Sequence, residues 1–140
     1  MLRLSKKIEY GVLALQYLAE NNDKLVTAKV IAENLDISFE FLSKTLQALK
    51  KNNLVNTIQG MKGGYTLADS PDNISLMQII EALEHYPDIV ECVNAETCER
   101  EEYCSIRSPM HVIQEKINDI FTQMKLTDFL EKKTVQISIN

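Results

Sequence analysis

The apolar pattern of this chain changes period at one place, and that change limits the fold more than anything else in the sequence. From Leu4 to Lys51 apolar side chains recur every three or four residues. From Leu54 to Leu67 they alternate about a glycine-rich turn, and from Ser75 onward helical spacing returns. The first stretch divides into three helices. Within 4–20, Ile8, Val12, Leu15 and Ala19, with Leu18 alongside, fall at helical spacing and mark a helix with Ser5 as its N-cap. Thr27 caps a second, whose stripe is Ala28, Ile31, Ala32 and Leu35. Asp36-Ile37-Ser38 is a tight turn, and Ser38 caps a third helix over 39–51 that buries Phe41, Leu42, Thr45, Leu46 and Leu49. Two helices joined by so short a turn form a helix-turn-helix.

The opposite face of the third helix carries Glu40, Ser43, Lys44, Gln47, Lys50 and Lys51, residue types that hydrogen-bond base edges and phosphates. A merely solvated polar face reads the same way, and the next segment decides between the two. Residues 54–58 alternate as a strand, Gln59 to Gly64 form a turn rich in residues tolerant of positive φ, and Tyr65-Thr66-Leu67 returns as a second strand. Helix, turn, helix and hairpin is the order of a winged helix. The hairpin tip, with Lys62 beside Gly63, is expected on the phosphate backbone or in the minor groove of double-stranded DNA. The fold class that follows is mainly α with a small β-hairpin.

Ser70-Pro71-Asp72 is the clearest boundary, so the DNA-binding part is expected to span 1–70. Ser75 caps a helix that packs Leu76, Ile79, Ile80 and Leu83 inward, and with the cysteine loop after it forms a linking segment, 71–107. Ser108-Pro109 opens a longer helix, because proline is favoured in a first helical turn. Its stripe of Val112, Ile113, Ile117, Ile120, Phe121 and Met124 is broader than a small domain covers with its own residues. Segment 108–140 is therefore expected to be a dimerisation helix and a tail, packed on its twin in a homodimer that matches paired DNA half-sites. Packing on the first helix of the same chain is the alternative. Thr127 begins a last short helix.

All three cysteines, Cys92, Cys98 and Cys104, fall within 13 residues at a C-x5-C-x5-C spacing. Glu91, Glu96, Glu99, Glu101 and Glu102 surround them, with Arg100 the nearby cation. Carboxylates disfavour a free thiolate, which argues against a reactive redox cysteine; a bound metal reverses that logic by stabilising charge on sulfur. The segment reads as a metal loop whose soft donors suit an iron–sulfur cluster, zinc or copper(I). Three reduced cysteines without a ligand are the plainer reading.

The net charge of −5 is unevenly spread. Residues 1–70 carry nine Lys and Arg against seven Asp and Glu, while residues 71–140 carry six against thirteen, so the first half is the one suited to a polyanion. No run approaches the length of a membrane span and no signal peptide is legible, so a cytoplasmic protein is expected. There clustered thiols are ligands more often than disulfides. Walker-type loops, Ser/His/Asp arrangements and H-E-x-x-H are missing. A small cysteine-dependent redox enzyme would want a C-x-x-C pair or a cationic activator, and neither is present, so no enzyme is expected.

Three features coincide: an opening M-L-R-L-S-K-K-I-E-Y-G, a turn G-M-K-G-G-Y-T-L-A, and C-x5-C-x5-C ahead of a long helix. Together they resemble the Rrf-two family of bacterial winged-helix repressors, over about residues 1–132, and in particular its IscR/NsrR-type iron–sulfur sensors. The resemblance implies a homodimeric transcriptional repressor whose 2Fe-2S or 4Fe-4S cluster, held by Cys92, Cys98 and Cys104, sets DNA affinity in response to nitric oxide, redox state or iron. For the fourth ligand, the IscR-like pattern has a histidine three residues after the last cysteine, where this chain has Arg107. The NsrR-like pattern uses an acidic residue on helix 1 of the partner subunit, and Glu9 matches it, with His111 and His85 in reserve. Gln59 stands where IscR-like members carry an arginine that enters the minor groove, with Lys62 the candidate to compensate. A winged-helix regulator with zinc or no cofactor, acting through a partner protein, is the alternative.

Overall fold

The computed structural model describes residues 3–85, 88–90, 92, 98–100 and 102–130. The elements follow the order α1 (Lys6–Glu20), α2 (Ala28–Leu35), α3 (Phe39–Lys51), β1 (Val55–Ile58), β2 (Gly64–Leu67), α4 (Leu76–Leu83), α5 (Arg107–Gln123) and α6 (Leu126–Leu130), with a 3-10 turn at Pro71–Asn73.

Capping chemistry fixes where the helices start. Ser5, Thr27, Ser38 and Ser75 each accept a hydrogen bond from a backbone N–H three residues on, which satisfies a donor the helix leaves open. Ser75 goes further, since Gln78 returns its side-chain oxygen to the Ser75 N–H at 2.8 Å and completes a capping box. Each such cap contributes about 1 kcal/mol. Asp36 ends α2 in the left-handed conformation, which turns the chain sharply into α3.

The core lies where α1, α3 and α4 pack on one another, with α2 laid on α3. Ala14, Leu15 and Leu18 of α1, Leu42, Leu46 and Leu49 of α3, and Ile79 and Ile80 of α4 are buried there, joined by Ile31, Ile74 and Leu126. Thr45 occupies a core position without cost because its hydroxyl donates to the Phe41 carbonyl at 3.0 Å. Phe41 itself departs from the expected buried face: it is 38% exposed, set edge-on against Tyr10 with ring centroids 5.3 Å apart. It lies at the border of the α3 stripe, where α1 covers one side of the ring only.

The hairpin pairs antiparallel in the register Val55 with Leu67 through Ile58 with Gly64. It is braced against the body. Val26 and Tyr65 exchange backbone hydrogen bonds of 3.1 and 2.7 Å, and at Gly64 a Cβ would stand 2.9 Å from the Val26 backbone. The far end of the molecule is tied in the same manner. Leu76 N–H donates to the Met124 carbonyl and Leu126 N–H to the Ile74 carbonyl, both at 2.8 Å, so the end of α5 is stitched to the entry of α4. The α5 helix begins at Arg107, slightly before the expected Ser108-Pro109, with no side-chain cap. Pro109 falls within the first turn, where its missing N–H costs no helical hydrogen bond.

Candidate nucleic-acid interface and thiol loop

Three turns of α3 carry the expected DNA-reading side chains on the face turned away from the core. Glu40, Lys44, Gln47, Lys50 and Lys51 are exposed and Ser43 is half-buried. Glu40 in the first turn and Lys50 and Lys51 in the last also suit the helix dipole, so this charge distribution serves α3 before any DNA is considered. The wing follows from the end of α3 through Asn53, in a left-handed conformation, and Leu54. At its tip Gln59 and Lys62 are exposed, and Gly63 donates its N–H to the Gly60 carbonyl at 3.0 Å. A side chain at Gly63 would collide with the Ile58 carbonyl oxygen, so the hairpin can close this tightly only on glycine.

The exposed side of α3 and the wing tip between them present Lys44, Lys50, Lys51 and Lys62, with Glu40 the acidic exception.

The second candidate region is the thiol loop. Cys92, Cys98 and Cys104 are half-buried and carry free thiols. Among the described residues, no three His, Cys, Asp or Glu side chains gather as a metal cage within one chain. Glu91, Glu96 and Glu101 lie outside the described residues, while Glu99, Arg100 and Glu102 are exposed. The loop is anchored on α5 by a residue the sequence reading overlooked. Gln114, only 2% exposed, accepts the Ile89 N–H at 2.9 Å and donates to Asn118 Oδ1 at 3.0 Å. A glutamine between Ile113 and Ile117 in an apolar stripe was the signal.

The candidates for a fourth ligand are scattered. Glu9 stands on α1, its carboxylate 2.7 Å from Lys6 Nζ, a pairing that raises the lysine above its ordinary value. It borders a groove of about 430 Å³ lined mainly by Ile8, Val12, Leu13, Leu76 and Phe129. His111 is exposed on α5, 3.3 Å from Glu115, and His85 is exposed just past α4. Arg107 is the first residue of α5.

The fold and the lysine-bearing surface can be set beside known proteins. The Rrf2 family (Rrf-two above), described as an iron-dependent transcriptional regulator, matches residues 4–132. The chain belongs to the Rrf2 family. The regulator NsrR of Halalkalibacterium halodurans is 31% identical over 132 residues, covering 92% of this chain and 90% of that one. Among solved structures, CymR, the global cysteine regulator of B. subtilis, superposes with a TM-score of 0.77 at 27% identity, over 96% of this chain and all of that one. IscR of T. potens gives 0.69 at 28%, over 92% and 86%. Like these Rrf2 proteins, the chain is a DNA-binding transcriptional regulator and not an enzyme. Among the described residues, no helix is long and apolar enough to cross a membrane.

Proposed function

We propose that this Rrf2 protein is a cytoplasmic, homodimeric repressor whose grip on its operator is set by an iron–sulfur cluster on Cys92, Cys98 and Cys104. The observation that carries this reading is the donor set itself. Three half-buried thiols without a disulfide, in an acidic loop of a family described as iron-dependent, match the demand of cluster irons for thiolate. Glu9 of a second copy is the fourth donor in this reading. When bound, the cluster supplies a centre that reacts with nitric oxide and oxidants.

The chain's own residues then carry the consequence to DNA. Gln114 ties the thiol loop to α5, α5 packs on α4, and α4 packs on both α1 and α3. Ile117, Ile120 and Phe121 of α5, with Met124 just past its end, turn partly inward, leaving Val112 and Ile113 at 48% and 45% exposure as the contact for a second copy. In this division of labour 1–70 reads DNA, 71–107 holds the thiols and 108–140 joins two chains. Glu40, Ser43, Lys44, Gln47, Lys50 and Lys51 face the major groove, with Gln59, Lys62 and Gly63 on the wing. A change in how α5 meets its twin alters the separation of two α3 helices, to which half-site binding is sensitive.

Protein purified without oxygen is expected to be brown, with iron and acid-labile sulfide. Cys→Ser at each position abolishes the colour, and Glu9→Ala leaves a cluster that is lost more readily. In gel shifts on the DNA upstream of its own gene, cluster-loaded and cluster-free protein differ in affinity. Colourless, zinc-containing protein would replace the cluster with a zinc site. Colourless, metal-free protein with unchanged DNA affinity after triple Cys→Ser replacement would favour the second reading, a cofactor-free regulator acting through a partner protein. The likeness to CymR, a global cysteine regulator, is the reason to keep beside the cluster a reading in which the cysteines serve otherwise.

A further inference from the structure

The wing carries a side chain for which the fold has no use. Met61 at its tip is 106% exposed, so it touches nothing in the chain, and Ile58 at the end of β1 is 58% exposed. Single apolar residues at a surface are common, and exposure alone means little. Here the side chain is presented on a braced arm. Gly60, in a positive-φ conformation, and Gly63 close the tip through one hydrogen bond, and the Val26–Tyr65 bridge fastens the base. The arm is charged for one class of partner: Lys62 is adjacent, and Lys50 and Lys51 stand at the end of α3 from which the arm departs. Strands of four residues reach about 13 Å. With α3 in a major groove about 12 Å wide, that length takes the tip across one phosphate ridge to the neighbouring minor groove.

We propose that Met61 is an apolar wedge which the wing sets against a base step in the minor groove, with Lys62 on the flanking phosphate, and that the bound duplex is bent as a result. Apolar wedges of this type partly unstack a step and kink DNA by about 20–90°. The thioether chain, unbranched and polarizable, adapts to an irregular step better than a branched side chain. Pyrimidine–purine steps deform most readily, so the operator carries a preference for one beneath the wing, at a position no side chain reads by hydrogen bonds. The inference rests on DNA binding by the winged helix and is independent of the thiol loop.

The test uses the full chain purified without oxygen and a duplex that the wild type selects from a randomised pool. Bend angle is read by energy transfer between the duplex ends. Met61→Gln keeps the length of the side chain and removes its apolarity in open space, so its melting temperature stays at the wild-type value. The bend is expected to fall by at least half, with affinity about fivefold to tenfold weaker and the salt slope unchanged. Met61→Leu restores the bend. Lys62→Gln keeps the bend and makes the salt slope shallower by about one. A straight wild-type complex, or a Met61→Gln complex bent as much as the wild type, overturns the proposal.

Discussion

At Gly11, where α1 crosses α4, an added methyl group would collide with Leu83 Cδ1. Leu83 is buried, so its side chain has little room to swing away. Gly11→Ala is therefore expected to destabilise the fold by about 1–3 kcal/mol, read as a lowered urea midpoint, even though alanine is the better helix former. Gly11 follows Glu9 and Tyr10 in the opening motif, so that motif has a packing reason independent of any metal. Asp69 offers a pH test. Its carboxyl is held below the ordinary carboxylate value by the Asn73 side chain, at 2.9 Å, and then by the Ser70 N–H. A depressed carboxylate stabilises the fold above its unfolded value and loses that contribution as pH falls through the folded one. Asp69→Ala should melt below the wild type at pH 7, and the gap should close as the pH is lowered through the acid range.

Among the elements, those whose signals are local were legible in advance. Ser5, Thr27, Ser38 and Ser75 cap because a hydroxyl beside the first helical N–H groups needs nothing from the rest of the fold. The hairpin was readable from alternation and glycine. What depends on packing between distant segments was not. The partial exposure of Phe41 follows from how far Tyr10 reaches, and the division of the α5 stripe into inward and outward flanks follows from where α4 lies. The thiols were legible as a spacing, but their anchoring on α5 was not, because Ile89 and Gln114 are 25 positions apart. That anchor gives a prediction at this scale. Gln114→Met keeps the volume but leaves the Ile89 N–H without its acceptor, at an expected cost of about 1–2 kcal/mol. Amide exchange at Ile89 should quicken, while Gln114→Glu, which keeps the acceptor, should protect it.

For the whole molecule, the proposed homodimer makes its prediction at the exposed flank of α5. Replacing both Val112 and Ile113 by glutamate should leave the fold of the single chain intact, because both side chains are about half exposed there, at 48% and 45%. The same variant should sediment as a single chain and bind a two-half-site duplex about two orders of magnitude more weakly, as linked binding is lost. Unchanged sedimentation would move the contact to another surface, the groove beside Glu9 being the next to try. The double stitch between the end of α5 and the entry of α4 bears on what such a contact can transmit. With its base fixed at Met124, this 17-residue rod behaves as a cantilever about 25 Å long. A tilt of about 5° at the root displaces the free end by about 2 Å. Small adjustments near the fulcrum are thereby enlarged at the tip beside Cys104, and a nudge delivered there arrives at the root with mechanical advantage.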